Sequence, residues 1–151
     1  MMDKYYNAEP FNVGVNINSG IDDIFSMVVP IGFTFNFFGN NYNSFICSSN
    51  GSVSFDTSLA GTYSTWSLST GPLPFNSPAF NNSILSPYHD LLPSNPEAKI
   101  YLNLKGIPPF RSLIISFDSL SLFSCYTLSS SSQIILYESS NYIDINIKNK
   151  P

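Results

Sequence analysis

Charged residues are scarce in this chain. Only 11% of its 151 residues are Asp, Glu, Lys or Arg, against about 25% in a typical soluble domain. The six Lys and Arg residues are scattered along the sequence, and the formal net charge is −4. Binding to nucleic acid or to an anionic membrane surface rests on clustered positive charge. The sequence therefore predicts neither kind of partner.

The chain also lacks the long apolar runs that membrane insertion requires. It contains no run of about 18 apolar residues, so we predict no membrane span. The opening segment, MMDKYYNAEPFNVG, has no apolar core of the kind found in secretory signal peptides. If the protein is exported, we expect its signal to lie outside this sequence.

Cysteine is rare, with Cys47 and Cys125 as the only two residues of this type. Neither lies in a CxxC or another zinc-ligand spacing, so we expect no zinc site. The two could pair and close a long loop, which would stabilise the fold by about 4–5 kcal/mol in the chain-entropy model. Two buried thiols that never meet are the alternative, and the sequence leaves both open.

Serine and asparagine, rather than charged residues, supply most of the polar groups on the predicted surface. This composition is common in secreted and cell-surface β proteins, and it predicts an extracellular or cell-surface location. The length fits one domain spanning 1–151. Residues 1–21 either belong to that domain or precede it as an irregular leader.

Helix signals are nearly absent, and short runs instead alternate between apolar and polar residues. In GFTFNFF (32–38), Phe33, Phe35 and Phe37 alternate with polar residues. This is the period of a half-buried strand, and we assign its aromatic face to the core. Asn50-Gly51 lies between two such runs and predicts a hairpin. Further strands are predicted at 42–47, 52–55, 84–85, 99–104, 113–117, 133–138 and 142–147.

These short strands, separated by turn residues, predict an all-β fold: an antiparallel β-sandwich or a jelly-roll-like domain. The closing strand alternates Ile143, Ile145 and Ile147 with polar residues, which fits a strand with two different faces. Segment 56–83 is rich in Ser, Thr, Gly, Pro and Asn, and we predict one long central loop there with a short helical turn. We interpret the serine run 129–132 as a second loop.

Several segments, taken in order, resemble a known extracellular domain. The most specific part is FTFNFFGNNY (33–42) followed by SNGSVSF (49–55), and PYHD (87–90) and IDINIKNKP (143–151) follow in the same order. Together they resemble the nidogen-like (NIDO-type) domain over 22–151. The likeness is greatest to the version in gliding-motility-associated, type IX-secreted surface proteins of Bacteroidetes. The resemblance implies an extracellular β-sandwich module in a larger surface protein, with neighbouring domains as partners and no catalytic residues to carry over.

The segment PYHD contains the only histidine, directly followed by an acid. A catalytic His–Asp pair needs a nucleophile within reach, and the chain has no GxSxG elbow. Neighbouring residues on a strand point to opposite faces, so Asp90 would be poorly placed to orient His89. We therefore predict that the chain is not an enzyme, with Asp90 bonded to local backbone N–H groups and Tyr88 packed against the fold.

Trp66, Tyr63 and Tyr88 lie in or near polar loops. Exposed aromatic rings can stack on sugars while neighbouring polar groups bind the hydroxyls, but the same residues can also anchor a long loop to the core. Both interpretations stay open. Together with His89 and Asp90, these three residues form the predicted ligand-binding set.

We predict no cofactor, with calcium as the alternative. Calcium takes six to eight oxygen ligands, and acids lie beside Asn and Ser in several loops at Asp22, Asp23, Asp56, Asp90 and Asp118. A DxDxDG calcium loop is absent from the sequence.

The sequence thus predicts a non-catalytic adhesion or structural module that presents loops to a partner or a surface. A lectin-like carbohydrate-binding module is the alternative, and Trp66 and Tyr88 exposed in one plane would favour it. A structural subunit of an extracellular assembly is the further alternative. An unpaired edge strand would favour that interpretation, because such a strand invites pairing with another chain.

Overall fold

The computed structural model describes residues 8–67 and 76–151. Ten strands and one short 3₁₀ helix, η1, form the regular structure of this part of the chain. Their bounds are β1 Val15–Asn16, β2 Val29–Phe37, β3 Asn40–Cys47, β4 Ser52–Ser54, η1 Thr57–Leu59, β5 Ser83–Leu85, β6 Leu91–Leu92, β7 Lys99–Lys105, β8 Ser112–Leu122, β9 Cys125–Tyr137 and β10 Ile143–Asn149. The described residues include no helix long and apolar enough to cross a membrane.

The strands form two antiparallel sheets, which we call sheet A and sheet B. Sheet A has the order β1-β7-β8-β9-β10, with β6 paired to the far end of β8, and sheet B has the order β2-β3-β4-β5. The predicted all-β sandwich is therefore confirmed. The strands β2–β5 and β7–β10 pair consecutively as two meanders, whereas β1 and β6 pair with β7 and β8; the strands of the two meanders do not alternate between the sheets as in a jelly roll.

The core lies between the two sheets and follows the alternation of the sequence. On β2, Ile31, Phe33 and Phe35 are buried while the residues between them face solvent. Sheet A supplies the opposing side chains, with Ile115 and Ile134 fully buried. Each such side chain contributes roughly 1.5–3 kcal/mol by leaving water. The core assignment of the Phe-rich strand is confirmed.

Strand β2 runs across the ends of the sheet A strands. The Arg111 Nη1 donates to the Gly32 carbonyl at 2.7 Å, and the Asn36 N–H donates to Asn141 Oδ1 at 2.8 Å. A Cβ built on Gly32 would lie 2.8 Å from the Leu104 side chain. β2 thus passes in turn the end of β7, the start of β8 and the start of β10. The loops around β6 lie at the opposite end of the sandwich from this crossing.

The serine run 129–132 is not a loop, so that prediction is wrong. It lies inside β9, where Ser131 and Ser132 are 4% and 3% exposed. Buried hydroxyls are tolerated when they are hydrogen-bonded. The Ser86 hydroxyl donates to Ser132 Oγ at 2.9 Å and the Ser131 hydroxyl donates to Asp118 Oδ1 at 3.2 Å. Hydrogen bonding thus replaces apolar packing along this part of the strand.

Residues 8–21 lie against the sandwich. Val15 pairs with Leu102 of β7. Phe11 is 8% exposed, and the Glu9 carbonyl accepts from Gln133 Nε2 at 2.8 Å. Residues 1–7 of the leader considered above lie outside the described residues.

The two cysteines are free in the structure. Cys47 lies at the end of β3 with 1% exposure in the core, whereas Cys125 begins β9 and is exposed. Burial raises the pKa of the Cys47 thiol well above its usual range. The disulfide that the sequence left open is therefore not formed in this structure, where one thiol is buried in the core and the other is exposed.

Candidate functional site

Four of the five predicted ligand-binding residues line one open groove. Trp66, Tyr88, His89 and Asp90, together with Ser67, surround a volume of about 330 Å³. We call this the Trp66 groove. Tyr63 is 63% exposed and is not among the lining residues. Part of the predicted long loop, 68–75, lies outside the described residues, and the described parts of the loop contain only η1 as regular structure.

The loop before Trp66 is held to the chain by backbone hydrogen bonds. The Phe25 N–H donates to the Thr62 carbonyl at 2.9 Å, and the Ser64 N–H donates to the Asp23 carbonyl at 2.8 Å. These bonds form a short antiparallel contact centred on the Ile24–Tyr63 bridge. They fix the position of the backbone just ahead of Trp66, whose side chain remains 48% exposed.

Tyr88 anchors the wall of the groove. Its hydroxyl donates to the Thr65 carbonyl, and its ring meets Phe80 edge to face at a centroid distance of 5.5 Å. Burial raises the Tyr88 pKa well above its usual range, and the nearby Asp23 adds to the effect. The hydroxyl therefore stays protonated as a donor. Tyr88 has the loop-anchoring role that the sequence left open, while Trp66 is the exposed ring.

His89 and Asp90 lie in the loop before β6, and both line the groove. The prediction that they point to opposite faces is wrong, because this segment is not a strand. Asp90 is held by its backbone, whose carbonyl accepts from the Phe123 N–H at 2.9 Å. In the described part of the chain, the Asp90 carboxylate accepts no hydrogen bond from a local N–H, and none joins it to the His89 ring. The predicted local bonds of this carboxylate are therefore not observed.

Three carboxylates, those of Asp22, Asp23 and Asp90, lie close enough to interact electrostatically at this end of the molecule. Burial raises the pKa of Asp90, and the charges of Asp23 and Asp22 raise it further, while His89 opposes them. The Asp22 pKa is raised by burial and by Asp23. A carboxylate with a raised pKa is less well solvated than one in water. Such a group gains by accepting a hydrogen bond from a ligand.

The other acids considered for calcium have separate structural roles. Asp56 caps η1 by accepting from the Ser58 N–H at 3.1 Å. Hydrogen bonding to the Ser58 side chain, and secondarily to this N–H, lowers the pKa of Asp56. Asp118 accepts from Ser131, and its Oδ1 lies 3.9 Å from Lys148 Nζ. Among the residues that the structure describes, no three Asp, Glu, His or Cys side chains are placed to hold one metal ion.

Asn50 connects the segments around the groove, and sequence reasoning missed this role. Its side chain is fully buried; Nδ2 donates to Asp23 Oδ1 at 2.8 Å, and Oδ1 accepts from the Leu91 N–H at 3.0 Å. Its carbonyl accepts from the His89 N–H at 3.3 Å. The Asn50-Gly51 pair does form the predicted turn between β3 and β4. The sequence carried no signal for its contacts to loops 27 and 41 positions away.

The fold and the groove define a class: an antiparallel β-sandwich module that gathers several loops around an open, acidic, aromatic-lined site. The chain belongs to the NIDO-related family, whose sequence profile matches residues 4–151. This confirms the nidogen-like resemblance, and the finer likeness to gliding-motility surface proteins stays a prediction. Comparison with curated proteins and with solved structures finds no match.

Proposed function

We propose that this chain is a non-catalytic extracellular module of a surface protein, and that it binds its partner through the Trp66 groove. One observation carries the proposal: the only tryptophan of the chain is 48% exposed in an open groove beside a carboxylate with a raised pKa. Large apolar side chains exposed within a polar rim are typical of interaction sites.

The extracellular setting of the proposal rests on the family and on composition. NIDO-related membership supports an extracellular module. The low proportion of charged residues and the Ser- and Asn-rich surface support the same setting. An adhesion or structural role, with neighbouring domains of the same protein beside it, accounts for a sandwich whose loops converge on one groove.

The non-catalytic part of the proposal rests on the contacts of His89. A catalytic histidine is oriented by an acid and is hydrogen-bonded to its nucleophile. In the described residues no hydrogen bond joins the His89 ring to the Asp90 carboxylate, although both line the groove.

A glycan is the second candidate for the ligand, and Trp66 favours it. An indole ring offers a flat apolar surface on which the C–H face of a sugar can stack. Asp90, at the same groove, would accept hydrogen bonds from sugar hydroxyls, and His89 would add a donor or an acceptor. Tyr88 supports the wall and contributes less contact area, because its hydroxyl is already bonded to the Thr65 carbonyl.

Binding can be tested through the fluorescence of Trp66, since no other tryptophan contributes to it. Soluble oligosaccharides of glucose, mannose and N-acetylglucosamine would be titrated into the protein, with calcium and with EDTA. We expect a saturable change in Trp66 emission with at least one sugar. We expect binding to weaken by roughly tenfold or more in Trp66→Ala, measured by calorimetry, because aromatic anchors carry about 1–3 kcal/mol of such contacts.

Tyr126→Ala is the matched control, because Tyr126 is 63% exposed and lines a different groove with Leu92 and Asn95. Equal loss in both variants would contradict the Trp66 groove as the site. An absence of any sugar response would remove the glycan candidate and leave a protein partner. Release of new reducing ends during incubation would contradict the non-catalytic proposal.

A further inference from the structure

Strand β10 forms an open edge of sheet A. It pairs with β9 and with no other described strand. The Tyr142 carbonyl accepts from the Tyr137 N–H at 3.1 Å, so the backbone groups of alternate residues in β10 face β9. The backbone N–H and C=O groups of Ile143, Ile145 and Ile147 face outward. These groups can form a ladder of hydrogen bonds with another strand.

The other four edge strands of the described part of the chain are short or already blocked. β1 and β6 have two residues each, and β5 has three. β2 is longer, but Pro30 lacks an N–H, the Gly32 carbonyl accepts from Arg111, and the Asn36 N–H donates to Asn141. Only β10, with seven residues, combines length with an unblocked backbone in the described part of the chain.

One face of β10 also exposes apolar side chains. Ile145 and Ile147 are opposite Ile134 and Ser132 of β9, so they lie on the side of sheet A that faces sheet B. They are nevertheless 43% and 50% exposed. Sheet B does not reach far enough to cover them. The predicted two-faced strand thus leaves two isoleucines of its apolar face uncovered.

The sequence of β10 is complementary to itself in one antiparallel register. With Asn146 on a two-fold axis, Ile145 lies opposite Ile147 of a second copy, and Asp144 lies opposite Lys148. Ile145 and Ile147 are both outward-facing residues, as this ladder requires. A centre at Ile145 or at Ile147 would lose the Asp144–Lys148 pairing. A single register therefore matches charge, apolar side chains and backbone direction.

Neither charged residue has a close ion pair within one chain. Lys148 Nζ is 3.9 Å from Asp118 and 4.9 Å from the centre of the Phe11 ring. Asp144 accepts from the Tyr137 hydroxyl at 3.0 Å and forms no salt bridge with any described residue. Both side chains are thus able to pair with the opposite charge on β10 of a second copy. Opposite-charge pairs between neighbouring strands stabilise sheets.

We propose that two copies of this chain associate through β10, antiparallel about Asn146, and join their A sheets into one continuous sheet. The four exposed isoleucines then cover one another beneath the joined edge. The pairing of β10 with β9 shifts register between Ile147 and Asn149, and this bulge limits the shared ladder to a few residues. The association is therefore weak and reversible.

Charge reversal tests the proposed register. The dissociation constant would be measured by sedimentation velocity over a concentration series, with circular dichroism to confirm folding. Asp144→Lys and Lys148→Asp should each weaken self-association roughly tenfold, because two attractive pairs per dimer become repulsive. Mixing the two variants should restore association as a heterodimer, and the double variant should restore the homodimer.

Cysteine cross-linking tests the same register in a Cys125→Ser background. Asn146→Cys places the two thiols opposite each other at a non-hydrogen-bonded position, where Cα atoms approach to about 4.5 Å. We expect it to form a disulfide-linked dimer under mild oxidation. Tyr142→Cys is the control, because Tyr142 is more exposed, at 73%, but is not opposite itself in this register. It should remain monomeric on a non-reducing gel.

Ile145→Pro is a second way to block the edge, since it removes an N–H that faces away from β9. We expect a folded monomer. A parent chain that remains monomeric at millimolar concentration would overturn the proposal. So would self-association that neither charge reversal nor Ile145→Pro weakens, or equal cross-linking of Asn146→Cys and Tyr142→Cys.

Discussion

At the scale of single residues, Asn50 connects the segments that surround the groove. Its amide joins the loop containing Asp23 to the segment that begins β6 at Leu91. An amide can do this because it carries both donors and an acceptor on one rigid group. The exposed Trp66 depends on this arrangement, because Asp23 in turn binds the Ser64 backbone.

Asn50→Ala should lower the free energy of unfolding by about 2–4 kcal/mol, because it leaves a buried N–H of Leu91 and a carboxylate of Asp23 without their partners. Urea unfolding would measure the change. Asn40→Ala, at an exposed position beside the β2–β3 turn, should cost less than about 0.5 kcal/mol. A similar small cost at both positions would contradict the connecting role of Asn50.

Asp90, in contrast to Asn50, lies in an environment that is unfavourable to it, because burial and neighbouring acids disfavour its negative charge. Its folded pKa lies above the ordinary value of 3.8, so the folded state binds a proton more readily than the unfolded state does. Asp90→Asn should therefore stabilise the protein at pH 7, by up to about 0.5 kcal/mol for this solvent-screened group. The gain should disappear as pH falls below 3.8, where both states of the parent carboxyl are protonated.

Thermal unfolding of Asp90→Asn at several pH values would measure this effect, with a rise in Tm of roughly 1–2 °C at neutral pH. A loss of stability at pH 7 would show that the carboxylate has a stabilising partner. If the same variant also binds sugar more weakly, the groove retains a destabilising charge because binding requires it.

At the scale of elements, the path of β2 depends on Gly32. Its φ is +91°, a conformation that side chains rarely adopt, and it lies against Leu104 at the end of β7. β2 approaches sheet A closely at this point because no Cβ is present. The Phe-rich strand is thus held at one end by the contacts of Gly32 with the Leu104 and Arg111 side chains, and along its length by burial of its aromatic face.

Gly32→Ala should destabilise the protein by roughly 1–3 kcal/mol, since it adds backbone strain and a 2.8 Å contact that the end of the half-exposed Leu104 side chain must move to relieve. Gly39→Ala is the matched control, because Gly39 has φ +85° but nothing within 4 Å of the added Cβ. It measures the strain alone, about 1–2 kcal/mol. Equal costs in chemical denaturation would contradict the crowding at Leu104.

At the scale of the whole molecule, one cation joins the two sheets. Arg111 donates to both carboxylate oxygens of Glu138, at 2.8 and 2.6 Å, and a third nitrogen bonds the Gly32 carbonyl of sheet B. Its guanidinium also lies 5.7 Å from the centre of the Phe33 ring. The hydrogen bonds from Arg111 lower the pKa of Glu138 below its ordinary 4.5.

Because the folded pKa of Glu138 is depressed, its contribution to stability is present above pH 4.5 and is lost as pH falls through the folded pKa. Glu138→Gln should therefore lower Tm at pH 7, and its Tm should approach that of the parent chain in strong acid. Differential scanning calorimetry from pH 7 to pH 2 would measure this. A constant difference at every pH would contradict the ionic part of the contact.

The sequence by itself determined the elements, because strand character is local. Side chains alternate across a strand, so the pattern Phe33, Phe35, Phe37 was enough to place one face of β2 in the core. Trp66, Tyr88, His89 and Asp90 of the predicted ligand-binding set do line one groove, whereas Tyr63 does not, and binding at this groove stays a prediction. The same local reasoning missed the serines of 129–132, whose burial depends on the hydroxyls and carboxylates of other strands.

Only the tertiary structure decided which distant residues meet. It assembled Asp22, Asp23 and Asp90 at one end of the sandwich, placed buried Asn50 between their loops, and left Cys47 and Cys125 apart. It also left Ile145 and Ile147 uncovered at an open edge, although their alternation is like that of a buried face. The reason is physical: hydrophobic periodicity records which side of a strand is apolar, while burial and charge depend on how far the opposing sheet extends and which loops it brings together.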